Sequence, residues 1–195
     1  MINTRQFVQL LASHRKDEIV VSTMTGDREW IACSPPSPLN FSVIGAMGYA
    51  CSVGIGLALA QPKRRVIVLD ADGSLLMNLG TLVTLAVQSP PNLLHFVLEN
   101  GLYEIAGRVP VPGCGLVSFT GVARAAGLKE VYEYDDLEVL RGGLPRLLSE
   151  AGPFFAVLKV EPTTPLPIQV DKSYRGVDEQ ARAMEKALGF GIDGL

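Results

Sequence analysis

The chain has 195 residues, 48% hydrophobic and 19% charged, with a formal net charge of −3. This composition is globular and excludes a disordered chain, and no basic stripe supports nucleic-acid binding. Cys33, Cys51 and Cys114 form no CxxC pair. They are expected to be reduced thiols acting as small hydrophobes.

Residues 3–16 read as an amphipathic helix with Phe7, Leu10, Leu11 and His14 at helical spacing, capped by Asn3 or Thr4. Residues 1–7 lack the apolar stretch of a signal peptide, so a cytoplasmic location is expected. Residues 18–22 form a short strand, 23–27 a loop of hydroxyls and glycine, and 28–33 a short helix. The SPPSP stretch at 34–38 excludes regular structure.

Residues 31–62 carry no charge. The apolar part of this stretch is long enough to raise the question of a membrane span. Gly45, Gly48, Gly54 and Gly56 interrupt it, and soluble-looking βα units flank it. A helix opening at Gly45–Gly48 and buried on all sides accounts for it better. Downstream, 65–70 is a buried strand, 71–74 a turn, 75–88 a helix, 92–98 a strand and 99–101 a turn. Residues 103–115 read as a loop, 118–127 as a helix capped by Ser118, 128–132 as a strand and 135–150 as a helix with Asp135 or Asp136 at its start. A strand at 154–160 precedes an extended segment, and 177–188 reads as a polar terminal helix.

Strands and helices alternate throughout. The expected fold is α/β and three-layer, a mainly parallel sheet with helices on both faces. Residues 1–195 are read as one domain with a less regular tail from about residue 161. Ligands on such sheets bind at the carboxyl ends of the strands. Two turns there carry polar residues: Ala71-Asp72-Gly73-Ser74 and Glu99-Asn100-Gly101.

Gly73 lets the backbone approach a bound group. A carboxylate beside the first amides of a helix suits a metal–phosphate pair, and Mg²⁺ prefers hard oxygen ligands. If the two strands are neighbours, Asp72 and Asn100 face one crevice, and a carbonyl of the following turn completes the shell. A DGS turn alone is equally well a helix cap.

Asp72-Gly73-Ser74 followed by Asn100-Gly101 resembles the motif of thiamine diphosphate-dependent enzymes, a GDG triplet, a spacer and an NN pair. Here 25 residues separate Gly73 from Glu99. Ala71 replaces the first glycine and Glu99 the first asparagine. Neither change removes a ligand, because the resemblance implies a metal held by Asp72, Asn100 and the Leu102 carbonyl, with Gly73 and Ser74 meeting the diphosphate. Residues 40–60 resemble the segment before this motif in acetolactate synthase-type decarboxylases. By that likeness the Gly45 carbonyl meets the aminopyrimidine and Met47 wedges between the cofactor rings.

Within the family the chain is most similar to the sulfopyruvate decarboxylase β subunits and phosphonopyruvate decarboxylases, through residues 22–26, the Gly45 segment, 73–80 and 100–105. Thr25 and Gly26 match a loop that approaches the diphosphate. The resemblance implies the diphosphate-binding (PP) half of a thiamine diphosphate- and Mg²⁺-dependent lyase, a decarboxylase of small anionic 2-oxo acids. The cofactor-activating Glu belongs to a separate pyrimidine-binding domain, and 195 residues leave no room for it. A pyrimidine-domain α subunit is therefore expected as partner in a hetero-oligomer, along with self-association.

Tyr103, Glu104 and Ile105 are substrate-side candidates, and Arg108 could meet an anionic substrate. Core packing, or an exposed loop position for Glu104, is the alternative. His14 and His95 read as structural. An acetolactate synthase-like carboligase subunit, a non-catalytic cofactor-binding module and a plain nucleotide-binding domain remain as alternatives. Scattered cysteines argue against an iron–sulfur oxidoreductase subunit.

Overall fold

The computed structural model describes residues 1–163 and 176–190. Its strands are β1 (Ile19–Ser22), β2 (Asn40–Ser42), β3 (Val66–Ala71), β4 (Leu93–Glu99), β5 (Leu102–Tyr103), β6 (Val109–Pro110), β7 (Glu130–Tyr134) and β8 (Phe154–Lys159). Six of them form one sheet in the order β2-β1-β3-β4-β8-β7, and every pairing in it is parallel. β5 and β6 form a separate antiparallel hairpin.

The helices are α1 (Thr4–His14), α2 (Met24–Cys33), α3 (Ala50–Ala60), α4 (Asp72–Leu76), α5 (Thr81–Gln88), α6 (Phe119–Ala125), α7 (Leu137–Ser149) and α8 (Val177–Ala187). Strand side chains alternate between the sheet's two faces. Val20, Ile67, Leu69 and Phe96 pack with α1, α2 and α7, whose contributions include Phe7, Trp30 and Leu144. Val21, Val68, Val97 and Val157 pack with α3, α5, α6 and α8, through Ile55, Leu82, Ala123 and Met184. The expected three layers are present. β3 lies between two covered faces, which is why its sequence is a continuous apolar run rather than an alternating one.

Side-chain oxygens start several helices by accepting otherwise unpaired amide hydrogens. Asn3 accepts from Gln6, Ser118 from Gly121, and Asp136 from Glu138 and Val139. The Asn92 amide group donates to the carbonyls of Ala58, Gln61 and Arg64, closing the far end of α3. That apolar helix has 11 residues, and no described helix is long and apolar enough to cross a membrane.

Four local expectations need correction. The segment 23–27 is not a loop: α2 starts at Met24, because Thr23 is anchored by its amide to the Leu69 carbonyl and by its hydroxyl to the Val43 carbonyl. α3 does not open at Gly45–Gly48. Gly45 and Gly48 have φ of +77° and +86°, a left-handed backbone incompatible with helix, so α3 begins at Ala50. Residues 75–88 are not one helix but α4 and α5, joined by a turn at 77–80. The segment 103–115 contains part of the β5–β6 hairpin rather than loop alone. The terminal helix is present as α8, where the amide of Ser42 donates to the Gln180 side chain. The irregular tail expected from about residue 161 lies largely outside the described residues.

α3 crosses β3 at close range where Gly54 faces Val68. A Cβ at Gly54 would stand 2.3 Å from Val68 Cγ2, whereas one at Gly56 meets nothing within 4 Å. Gly54→Ala is expected to lower stability by about 1–3 kcal/mol through overpacking. Gly56→Ala is expected to raise it by up to about 1 kcal/mol through helix propensity. Urea denaturation of the two variants checks the pair of signs.

Candidate functional site

The parallel register places β3 beside β4, pairing Ala71 with Leu98, so the turns that follow both strands open on the same edge of the sheet. β1 adjoins β3 on the other side and delivers Thr23–Gly26 to that edge. This is the end of the sheet at which the expected ligand would sit.

Asp72 is the first residue of α4 and is 2% exposed. Its Oδ1 accepts from the Gly73 amide at 2.7 Å and its Oδ2 from the Gly101 amide at 2.7 Å. The second bond ties the turn after β4 to the one after β3. Burial pushes the Asp72 carboxyl up to about 6, and the nearby charge of Glu99 adds to the rise; the amides of Gly101, Gly73 and Asn100 oppose it. The carboxyl is thus desolvated beside a second acid, the condition a bound cation relieves.

The Asn100 side-chain oxygen accepts from the Leu102 amide at 2.9 Å, leaving it a second lone pair. Within the hairpin, the carbonyls of Gly101 and Tyr103 accept from Val111 and Arg108. The alternation of a strand turns the Leu102 carbonyl the other way, out of the hairpin. One carboxylate, one amide oxygen and one carbonyl turned out of the hairpin make an all-oxygen donor set, suited to Mg²⁺ that shares its shell with phosphate and water. Among the described residues no cluster of three or more His, Cys, Asp or Glu side chains could hold a metal by itself.

Asp72, Gly73, Ser74, Asn100 and Leu102 line one pocket of about 190 Å³, together with Thr25, Met47, Tyr103, Glu104 and Ile105. The Tyr103 ring packs over Gly73, where a Cβ would come within 2.4 Å of it. Gly26 lies off the pocket wall, with its Cα side against the Leu69 carbonyl. Gly45 stands outside the lining too, in an exposed turn with open space where a side chain would be. Met24, at the start of α2, lines the pocket in a left-handed conformation with φ of +50°.

Glu104 is not an exposed loop residue. Its side chain is 6% exposed, and its two oxygens accept from the Thr25 hydroxyl, the Thr163 hydroxyl and the Thr163 amide. Arg28 lies 3.7 Å away. A carboxylate so occupied holds three segments together at the pocket rim and has little capacity left for a substrate proton. Arg108 donates to the Thr163 carbonyl and lies outside the pocket lining, so it braces the same junction.

Both histidines are structural in this geometry. His14 Nδ1 contacts the Leu10 carbonyl at the end of α1. His95 is fully buried beside Asp70 at 3.3 Å. Burial by itself pushes its imidazole down, but Cys51 and Asp70 outweigh that and hold it up, at about 10. Sequence reading missed Arg28, Thr163 and Asn78 as neighbours of the site. Asn78 alone left a signal, a polar residue inside the apolar run Leu75-Leu76-Met77-Asn78-Leu79.

Residues 19–158 match the family described as "Thiamine pyrophosphate enzyme, C-terminal TPP binding domain". The chain is 36% identical over 162 residues to the sulfopyruvate decarboxylase subunit beta of Methanothermobacter thermautotrophicus, covering 83% of this chain and 84% of that protein. It is 36% identical over 154 residues to the phosphonopyruvate decarboxylase of Streptomyces viridochromogenes, covering 79% of this chain but only 38% of that longer protein. Among solved structures, the thiamine diphosphate-dependent 4-hydroxybenzoylformate decarboxylase of Rhodococcus jostii superposes with a TM-score of 0.71 at 19% identity, over 83% of this chain and 33% of that one. The chain belongs to the thiamine pyrophosphate enzyme family and comprises its C-terminal, TPP-binding domain.

Because the folded state raises the Asp72 pKa above its unfolded value of 3.8, the buried acid stabilises the metal-free chain most below that value. This contribution disappears as pH rises through about 6. From roughly pH 5 to about pH 7.5, the wild type is expected to lose about 1 kcal/mol more stability than Asp72→Asn. Urea denaturation at both pH values checks this; equal slopes in the two proteins would contradict it.

Proposed function

We propose that this chain is the diphosphate-binding subunit of a thiamine diphosphate- and Mg²⁺-dependent decarboxylase of a small anionic 2-oxo acid. The observation that carries the reading is the buried Asp72, its carboxyl raised by desolvation, lining the same pocket as Asn100 and Leu102. In this reading Asp72, Asn100 and the Leu102 carbonyl hold Mg²⁺. Gly73 and Ser74 accommodate the diphosphate, with Thr25 and Gly26 at the neighbouring strand end. The Gly45 carbonyl receives the aminopyrimidine, and Met47 fills the space between the rings. When bound, thiamine diphosphate supplies an electron sink for the pair released as a 2-oxo acid loses CO₂.

Tyr103 and Ile105 form the apolar wall against the reacting end, where they exclude water. Glu104 shapes that wall from behind, since its oxygens are engaged by Thr25 and Thr163. The group that activates the cofactor is assigned to a pyrimidine-domain partner. The related protein in Methanothermobacter is named a beta subunit, and the phosphonopyruvate decarboxylase has more than half of its length beyond the matched region. A carboligase reading draws on a 30% identity over 105 residues with acetolactate synthase 2 of maize, which covers 51% of this chain and 16% of that protein. The longer match to the two decarboxylases favours decarboxylation.

Isothermal titration of the purified chain is expected to show thiamine diphosphate binding only with Mg²⁺, and none of ATP or NAD. Asp72→Ala is expected to abolish that binding while leaving the far-UV circular dichroism unchanged. Metal-independent binding, or unchanged affinity in the variant, would reject the assignment. Sulfopyruvate and phosphonopyruvate turnover is expected only after a pyrimidine-domain chain is added; full turnover by this chain alone would remove the partner.

A further inference from the structure

The turn that carries Gly45 and Met47 has no regular structure of its own. At one end Val43 is fastened to β1, donating to the Ser22 carbonyl and accepting from the Thr23 hydroxyl. At the other end it meets Gly48, two residues before α3. Both backbone polar groups of Gly48 are taken by side chains of residues at and just after α4. Its amide donates to Ser74 Oγ at 3.1 Å, and its carbonyl accepts from Asn78 Nδ2 at 3.1 Å.

The contact is close as well as bonded. A Cβ on Gly48 would stand 3.0 Å from Asn78 Cβ, and the glycine's φ of +86° is one that other residues rarely adopt. Asn78 has little freedom to yield. Its amide donates to the Leu75 carbonyl, and its carbonyl accepts from the Thr81 amide. One turn further on, the Ser52 and Thr81 hydroxyls meet at 3.0 Å and tie α3 to α5 again. Asn78 lies in the turn that separates α4 from α5, where the sequence alone suggested one helix.

We infer that Asn78 is a positioning residue for the cofactor: by gripping Gly48 it sets where Met47 stands over the pocket relative to Asp72. The inference rests on the thiamine diphosphate reading given above. Asn78 lies outside the pocket lining, so it acts through the Gly48 backbone rather than by touching a ligand. Asp72 and the 100–102 turn are held by their own bonds and do not depend on Asn78. The Asp72–Asn100 end of the site and its ring-bearing end are therefore separable by one substitution.

The test is a pair of titrations on the full chain with Mg²⁺, one with thiamine diphosphate and one with inorganic pyrophosphate. Two variants are compared with the wild type. Asn78→Ala removes the donor, and Asn78→Asp keeps the size while setting a carboxylate against the Gly48 carbonyl. In both, thiamine diphosphate affinity is expected to fall about tenfold while pyrophosphate affinity stays within about twofold, the scale of one buried hydrogen bond. A merely structural role would weaken both ligands equally, and that result, or no weakening of either, would overturn the inference. A wild type that binds neither compound would instead overturn the diphosphate reading beneath it.

Discussion

The bond from the Gly101 amide to Asp72 Oδ2 joins the turns after two neighbouring parallel strands and leaves a carboxylate buried at their junction. Burial dominates its electrostatics, and Glu99 makes the local charge more negative. Such a group is costly in a folded chain unless something positive arrives. The sheet supplies the rigidity that makes the cost tolerable: β3 and β4 are buried almost throughout and paired along six positions. The pocket walls, the hairpin and the Gly45–Gly48 turn are arranged around that junction.

The departures from the family motif have physical consequences of their own. Glu99 stands where the likeness would put an asparagine, and it brings a charge toward Asp72. Lys159 answers it from β8 at 2.7 Å, so the extra charge is partly balanced within the sheet. Ala71 in place of glycine is unremarkable in the structure: it completes β3 with an extended backbone, φ −121° and ψ 152°, that needs no glycine. Glu104 shows how misleading residue type alone can be. A carboxylate beside a pocket suggests acid–base work, yet its neighbours Thr25 and Thr163 use both oxygens for architecture.

The layered parallel fold was legible because buried strands such as 66–71 and 93–99 are apolar runs punctuated by turn residues, and because the strands alternate with helical patterns. Asp72 and Asn100 were legible through their place after two such runs. The boundaries at Gly45–Gly48 and at 77–80 were not. At Gly45–Gly48 the backbone is left-handed at both glycines, and at 77–80 the Asn78 side chain meets Gly48 from 30 residues away, a contact no local pattern reports. The helix at Met24 was hidden by distant contacts too, since Thr23 is anchored by partners on β3 and beyond β2. Glu104 could not be read as buried because Thr163 reaches it from 59 residues away.

The central claim is that Asp72, Asn100 and the Leu102 carbonyl hold a divalent cation together with a diphosphate. Electron–nuclear double resonance on the chain loaded with Mn²⁺ and thiamine diphosphate tests it most directly. Coupling of the Mn²⁺ to phosphorus is expected in the wild type and is expected to vanish in both Asp72→Ala and Asn100→Ala. Bound Mn²⁺ without phosphorus coupling, or coupling that persists in both variants, would contradict it.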